Sequence, residues 1–191
     1  MNRTRSAAKV LLAALSAGLA ACAASESSRV NQQTSGQESR RQARDIAHAT
    51  RHDVLAMLDA FHAAAARADG AAYFALYSPE AVFIGTDAGE RWTMEEFKAY
   101  AEPYFSKGKG WTYVPRAGSR HVTPVSGTDG RIAFFEELLD NDKYGTCRGT
   151  GVARVEGGAW RIVQYHLTFP VPNDLAERIT GEIKAWERGT R

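Results

Sequence analysis

The fold is decided by residues 131–169, which read RIAFFEELLDNDKYGTCRGTGVARVEGGAWRIVQYHLTF. Three runs in this stretch are rich in β-branched and aromatic residues, and they occupy 131–140, 146–156 and 159–169. Turn residues such as Gly157-Gly158 separate the runs, which predicts neighbouring antiparallel strands joined as hairpins. A further strand is predicted over 111–123, so the second half of the chain holds a meander of four long strands.

Helical patterns predominate before the meander. Apolar residues recur every three or four positions within 46–67, and Asp69-Gly70 stops the pattern, which predicts a helix over that range. A second, short helix is predicted over 70–78 and a short strand over 81–85. Beyond the meander, apolar residues at helical spacing predict a final helix over about 175–187.

Two local interactions mark the start of another helix. Thr93 and Glu96 have the spacing of a capping box, and Trp92 and Phe97 have that of a hydrophobic staple. We expect this helix to run to about Phe105. Helices followed by a meander of long strands predict an α+β domain whose sheet curls around its helices.

The first 21 residues have the features of a secretory signal peptide. Three cations lie at Arg3, Arg5 and Lys9, and an apolar run of 12 residues, 10–21, follows them. This run is too short to span a bilayer, but its length is that of a signal peptide's apolar core. We therefore expect 1–21 to be a removable targeting segment.

The stretch Leu19-Ala20-Ala21-Cys22 is similar to the lipobox of bacterial lipoproteins. The resemblance implies cleavage before Cys22, acylation of its sulfur and new amine, and lipid anchoring in the bacterial envelope on the periplasmic side. Ala23 after the cysteine favours the outer membrane. The alternative is an ordinary secretory signal with an incidental cysteine. With Cys22 lipidated, Cys147 has no cysteine partner, so no intramolecular disulfide is expected.

Residues 22–45 are rich in Ser, Gln and Arg, and Val30 is their one aliphatic side chain larger than Ala. Such a composition cannot bury a core, so we predict a flexible tether in front of a domain over 46–191. The whole chain has a formal net charge of +2, but this domain carries 17 Lys and Arg against 19 Asp and Glu. Its slight acidity argues against nucleic acid as a partner.

Several stretches of the domain carry a resemblance to a known family. They read FIGTDAGERW (83–92), IAFFEE (132–137), RGTGV (148–152), WRIVQYHLT (160–168) and PNDL (172–175). In these stretches the sequence resembles the SnoaL-like branch of the nuclear-transport-factor-2-like superfamily. The resemblance implies a cone, in which a strongly curved antiparallel sheet wraps around the N-terminal helices and leaves a pocket inside. It also implies a homodimer formed through the outer face of the sheet.

The family does not decide the function, because its fold serves ketosteroid isomerase, polyketide cyclases, dehydratases and non-catalytic association domains. The catalytic set of ketosteroid isomerase has no residue-by-residue counterpart in this sequence. Three hypotheses therefore stay open: a domain that binds a small, partly apolar molecule, a cofactor-independent acid–base enzyme such as an isomerase, cyclase, dehydratase or hydrolase, and a structural module with a filled cone.

Strand alternation suggests candidates for acid–base chemistry. It places Glu136 on one face with Ile132, Phe134 and Leu138, and it places Gln164 and His166 on one face of the last strand, unless a bulge shifts the register. If both faces point into the cone, Glu136 and His166 converge there as catalytic groups, with Gln164 beside them as a ligand-binding residue. The alternative is that they satisfy each other, or backbone groups, in the floor of the pocket.

Asp87 and Glu90 lie in the loop before the capped helix, where members of the family place the rim of the pocket. Asp87 is a further candidate base, and hydrogen bonds within the turn or exposed salt bridges are the alternative for both residues. Arg148 stands next to Gly149 and close to Gly151, where it suits a ligand carboxylate. In the other interpretation the glycines let the sheet bend and Arg148 pairs with a neighbouring acid.

Aromatic residues suit the wall of a pocket for a ring-containing ligand, although aromatics at these spacings also form plain core. The candidates are Tyr73, Tyr77, Trp92, Tyr104 and Trp111.

Metal and nucleophile chemistry find little support. Asp45, His48 and His52 share a helix stripe, but this stripe is opposite the apolar face and has no fourth ligand nearby in the sequence, so no metal site is predicted. A pair of Cys147 with His166 is disfavoured because a lone strand cysteine is usually a small buried apolar residue. We find no phosphate-binding loop, dinucleotide fingerprint or nucleophile elbow, and predict no cofactor.

Overall fold

The computed structural model describes residues 7–189, and side chains within it over 35–189. The chain divides into two compact units, Met1–Ile46 and Ala47–Arg191. Helix α1, Ala7–Ala66, begins far before the predicted start at residue 46.

In the first unit, α1 passes through the segment that the sequence predicts to be a flexible tether. Residues 35–45 of the helix are exposed, which fits a segment without apolar side chains to bury. Ala, Gln, Glu and Arg, which make up much of the segment, have favourable helix propensities, and this explains how it forms a helix without a core. Its role as a spacer stays a prediction. The side chain of Cys22 lies outside the described part of the chain, as do residues 1–6 of the predicted signal.

In the second unit, α1 buries the apolar face that the sequence predicts. Val54, Leu58 and Phe61 are at most 3% exposed. The helix is held to the sheet by side chains as well, since Thr50 donates to the Gly130 carbonyl and Arg51 to the Val122 carbonyl. This face of α1 forms one wall of the core.

Two short helices follow in positions close to those predicted. Helix α2, Gly70–Ala75, starts at Asp69, whose side chain accepts a hydrogen bond from the Ala72 amide. Helix α3, Met94–Phe105, has the predicted capping box: the Thr93 side chain accepts from the Glu96 amide, and the Glu96 carboxylate accepts from the Thr93 amide. The predicted staple is also present, with the rings of Trp92 and Phe97 5.7 Å apart.

Within residues 7–189, seven strands form one sheet. They are β1 Tyr77–Ile84, β2 Arg91–Thr93, β3 Val114–Pro115, β4 His121–Pro124, β5 Ile132–Asn141, β6 Gly145–Glu156 and β7 Ala159–Thr168. The order is β2-β1-β7-β6-β5-β3, and β4 pairs with β5 beside β3. In place of the single strand predicted over 111–123, the structure has two short strands, β3 and β4, which both pair with β5. After β7, a 3-10 turn, Asn173–Leu175, leads into helix α4, Ala176–Gly189, of which no residue is buried.

The sheet is mixed rather than antiparallel throughout, because β1 runs parallel to β7. These strands are far apart in sequence, so no hairpin constrains their direction. The β5-β6-β7 meander is antiparallel as predicted. Together with the helices it gives the α+β cone that the sequence predicts.

The register of two long strands differs from the predicted one. On β5 the core side chains are Ala133, Phe135, Glu137 and Leu139, whereas Glu136 is exposed. Both alternations along β5 contain apolar residues, so periodicity alone does not distinguish the two faces, and a shift by one residue exchanges them.

On β7 the alternation is interrupted. Ile162 is buried, but so are Tyr165 and Leu167, because the pairing with β6 shifts between Val152 and Ala153. A bulge of one residue turns every later side chain over. Gln164 and His166 therefore lie on the opposite face from Ile162, contrary to the alternation expected for an unbroken strand.

Candidate functional site

A carboxylate is buried at the centre of the cone. Glu137 on β5 is 1% exposed, and its Oε1 lies 2.7 Å from His62 Nε2 on α1. Tyr165 on β7 donates its hydroxyl to the same oxygen at 3.2 Å. When the carboxylate is ionised it only accepts, so His62 then carries its proton on Nε2. Helix α1 and strands β5 and β7 thus meet at one oxygen atom.

The second oxygen of Glu137 is held by a cation. Arg120 Nε donates to Oε2 at 2.8 Å, and Arg120 also forms an ion pair with Asp59 on α1. The Asp59 side chain is 71% exposed, so the chain of charges runs from solvent to the core. Within the described residues, Arg120 Nη2 is a buried nitrogen without a hydrogen-bond partner.

This environment keeps Glu137 ionised. Burial raises the pKa of Glu137, but the hydrogen bonds and charges of His62 and Arg120 outweigh it, and the pKa falls below the ordinary 4.5. Burial and the neighbouring Glu137 charge raise the pKa of Tyr165 well above its usual range. Around neutral pH the cluster therefore combines a carboxylate with a neutral phenol.

Glycines make room for this cluster. A Cβ on Gly149 would overlap the Tyr165 hydroxyl, and one on Gly151 would overlap the Phe135 ring. Both glycines are buried beneath inward rings, so they serve the packing of the core rather than the approach of a ligand to the strand.

Two adjoining chambers occupy the cone. The inner chamber holds about 30 Å³ and is lined by His62, Tyr73 and Tyr165, among others. The outer chamber holds about 270 Å³ and reaches the rim at Glu90, Trp92 and Tyr144. Both chambers are lined by Phe83, Trp111, Tyr113 and Leu167.

The polar groups of the shared wall are the Tyr113 hydroxyl and the Trp111 indole N–H. Burial raises the pKa of Tyr113 to about 12, so this phenol is neutral and serves as a hydrogen-bond donor or acceptor. An apolar lining with a few placed polar groups is typical of small-molecule sites.

The predicted pair Glu136 and His166 does share a face, but that face is the outer one. Thr150 lies between them, paired with Glu136 on β5 and with His166 on β7. Gln164 lies on the same face of β7. None of the three is brought into the cone, because of the register of β5 and the bulge on β7.

Asp87 is exposed in the loop after β1. Its Oδ1 accepts from the Gly89 amide at 2.8 Å, so it makes the hydrogen bond within the turn that was the alternative interpretation. Glu90 lines the outer chamber, and its Oε2 accepts from the Asp87 amide at 3.1 Å. Of these two acids, only Glu90 belongs to the site.

The predicted aromatic wall is present in part. Trp92 and Trp111 line the outer chamber, and Tyr73 lines the inner one. Tyr77 is buried in the core with its hydroxyl 3.3 Å from that of Tyr73, and Tyr104 is 46% exposed on α3. Neither of these two residues lines a chamber.

Arg148 is exposed on β6 and lies outside both chambers. Cys147 is buried, and burial raises the pKa of its thiol, which is the opposite of what a nucleophilic thiolate needs. On α1, His48 and His52 are exposed, and His52 contacts Asp53 at 3.2 Å. Over the described side chains no three His, Cys, Asp or Glu residues cluster as metal ligands.

Sequence reasoning missed His62, Arg120, Glu137 and Tyr165. One signal for His62 was available, because it follows Leu58 by four residues and so lies on the apolar face of α1. Gly149 and Gly151 are two residues apart and so share one face of a strand, where large side chains of neighbouring strands need space. This spacing is a weaker signal that the face points into the core.

The described part of the chain contains no helix of the length and apolarity needed to cross a bilayer.

Comparisons with known proteins identify the fold. The profile of the family described as SnoaL-like domain matches residues 54–172. None of the curated proteins compared with the chain matches it.

Among solved structures, an NTF2-like protein of unknown function from Pseudomonas putida is 16% identical, covers 66% of this chain and 90% of its own, and has a TM-score of 0.53. A dehydratase candidate of the NTF2-like family from Streptomyces avermitilis is 14% identical, with coverages of 63% and 96% and a TM-score of 0.52. A protein of unknown function with a cystatin-like fold from Nostoc punctiforme is 12% identical, with coverages of 63% and 90% and a TM-score of 0.51. At these identities the likeness concerns the fold alone.

Proposed function

Because the chain belongs to the SnoaL-like domain family, we propose that it binds a small, partly apolar molecule in its cone. The observation that carries this proposal is the outer chamber of about 270 Å³, whose wall is largely aromatic and which continues into the inner chamber at Trp111 and Tyr113. A filled cone would leave no such space. The hypothesis of a purely structural module is correspondingly disfavoured.

The ligand's apolar part fits the aromatic wall, and its polar part has defined partners. Tyr113 presents a neutral hydroxyl at the junction of the chambers, and Thr86 and Glu90 lie at the rim. Deeper, the inner chamber of about 30 Å³ has room for one small group of a ligand, and Tyr165 and His62, which line it, are oriented by Glu137.

A blocking variant tests the proposal. Thr86 is exposed and lines the outer chamber, so Thr86→Trp fills that chamber from the surface without disturbing the core. Ala88→Trp is the matched control, since Ala88 is exposed in the same loop and lines neither chamber. The neutral fluorophore N-phenyl-1-naphthylamine should brighten on binding to the unmodified protein and to Ala88→Trp, but not to Thr86→Trp. Equal binding to all three proteins, or binding to none, would contradict the proposal.

A second candidate is acid–base catalysis in the same cone. The observation that favours it is the position of His62, which lines the inner chamber and is oriented by the ionised Glu137. A histidine held by a carboxylate is suited to moving a proton to or from a bound molecule. With a ligand found by the binding experiment, His62→Gln should abolish turnover and keep affinity if this candidate is right, whereas a binding domain shows no turnover at all.

The proposal also includes the place where the domain works. The lipobox-like stretch before Cys22 supports lipid anchoring to the bacterial envelope, on the periplasmic side and with the outer membrane favoured. Several acyl chains on Cys22 would hold the protein far more firmly than a single chain does. The proposal also includes the homodimer that the family resemblance implies, formed through the outer face of the sheet, where Phe134 of β5 is exposed.

A further inference from the structure

The outer chamber is unusual in its chemistry. Among residues 35–189, whose side chains are described, twelve line this chamber and eight of them are aromatic. The one carboxylate in this set is Glu90, and the set contains no Lys, Arg or His. A chamber meant for an anion would present a cation, and one meant for a neutral apolar ligand would not place a carboxylate at its rim. Aromatic faces carry negative charge density and attract cations.

The aromatic residues at the rim form two packed pairs. The rings of Trp92 and Tyr100 stack with centroids 4.6 Å apart, and those of Tyr144 and Phe169 lie 4.9 Å apart. Within each pair, the two rings restrict each other's rotation. The walls of the chamber are therefore ordered before a ligand binds. A preorganised wall lowers the entropy cost of binding.

The carboxylate is held in place and is available. Glu90 Oε2 accepts the Asp87 amide at 3.1 Å, and the Glu90 carbonyl accepts the Gly85 amide at 2.8 Å. A Cβ on residue 85 would overlap Oε2, so the glycine gives the carboxylate its room. Across the side chains that the structure describes, Glu90 forms no salt bridge. A carboxylate has lone pairs for several donors, so one amide does not saturate it.

The rim already attracts one cation. The Lys143 ammonium lies over the Tyr144 ring, 4.7 Å from its centroid, although Lys143 does not line the chamber. This contact shows that a π-face of the rim accepts a positive group. It also makes Lys143 an internal competitor for a bound cation.

We propose that the outer chamber selects an organic cation, namely a substituted ammonium group on an apolar or aromatic body, held among Trp92, Tyr100 and Tyr144 and paired with Glu90. This inference rests on the proposed function, because it names the ligand class of the same chamber. The rings supply cation–π attraction, and Glu90 supplies the opposite charge.

A matched set of three probes tests the charge preference. Benzyltrimethylammonium is the cation, neopentylbenzene is its neutral carbon isostere, and phenylmethanesulfonate is the anion. Each competes with N-phenyl-1-naphthylamine for the full mature chain. We expect the cation to bind at least about tenfold more tightly than the isostere, and the anion to bind more weakly than either. A cation that binds no better than its isostere overturns the inference.

Two variants separate the contributions. Glu90→Gln keeps an oxygen for the Asp87 amide and removes the charge. It should lower the affinity for the cation severalfold and leave the affinity for the isostere unchanged. Lys143→Gln removes the competing ammonium and should raise the affinity for the cation but not for the isostere. Equal effects on cation and isostere in both variants would overturn the inference.

The proposed function and this inference can fail separately. If the fluorophore binds to the unmodified protein and is lost in Thr86→Trp, while the cation shows no advantage, the chamber binds ligands but not by charge. If neither the fluorophore nor the cation binds, both proposals are wrong.

Discussion

His62 Nε2 lies 2.7 Å from Glu137 Oε1, and 75 residues of chain separate these two buried side chains. The contact joins α1 to β5, the first strand of the meander, and its histidine lines the inner chamber. Because Arg120 holds the other carboxylate oxygen at 2.8 Å, the acid is fixed from two sides. Glu137 and its partners His62, Arg120 and Tyr165 form a polar cluster inside an otherwise apolar cone.

Removing the charge of Glu137 should destabilise the domain. Glu137→Gln weakens the charged hydrogen bonds to His62 and Arg120, and we expect it to cost about 2 kcal/mol of unfolding free energy. Glu136→Gln on the exposed face is the matched control and should change stability by less than about 0.5 kcal/mol. Urea unfolding followed by tryptophan fluorescence measures both. Larger destabilisation by the Glu136 variant would reverse the assignment of the two faces.

The same carboxylate should make stability depend on pH in acid. The pKa of Glu137 is lowered in the folded state from the ordinary 4.5, so its contribution is fully present above pH 4.5. That contribution is lost as pH falls below 4.5 and through the folded pKa. Urea midpoints between pH 7 and pH 3 should therefore fall more steeply for the unmodified protein than for Glu137→Gln. Parallel curves would show that folding does not lower the pKa of Glu137.

Gly149 should not tolerate a methyl group. In Gly149→Ala the added Cβ would overlap the Tyr165 hydroxyl and lie 3.1 Å from Glu137 Oε1. We expect a loss of about 1–3 kcal/mol, which is typical of overpacking. Gly181→Ala on exposed α4 has open space and should be neutral or slightly stabilising. Thermal unfolding of the two alanine variants tests this, and similar melting temperatures would count against it.

The N-cap of α3 should make a measurable contribution to the free energy of unfolding. Thr93→Ala removes the acceptor for the Glu96 amide and should cost about 1 kcal/mol. Thr93→Ser keeps that oxygen and should keep most of the stability. The comparison is made by urea unfolding of the three proteins. If alanine and serine behave alike, the cap does not stabilise the helix.

The proposed lipid anchoring depends on one residue, Cys22. Cys22→Ser should move the protein from the membrane fraction to the soluble fraction of the cell envelope, because no sulfur is left to acylate. Cys147→Ser, which changes the buried cysteine, should remain with the membrane. Fractionation followed by immunoblotting measures the distribution. If Cys22→Ser still sediments with membranes, acyl chains on Cys22 are not what holds the protein.

The fold was more predictable than the site. Thr93 with Glu96, and Trp92 with Phe97, are contacts over three to five residues, and they specify the start of α3 without help from the rest of the chain. The site instead depends on which face of β5 turns inward. Glu136 and Glu137 are adjacent and each stands in an apolar alternation, so local pattern carries no preference between them.

By itself, the sequence determined the elements whose causes are local: the amphipathic face of α1, the capped α3, and the antiparallel meander with its glycine turns. Only the tertiary structure decided that Glu137 faces the core, that the bulge on β7 turns Tyr165 inward and His166 outward, and that His62 and Arg120 meet the buried acid. The physical reason is that a strand's register is set by its partners. Placing an ionised carboxylate in a core is favourable only where cations and donors from distant segments arrive at the same point.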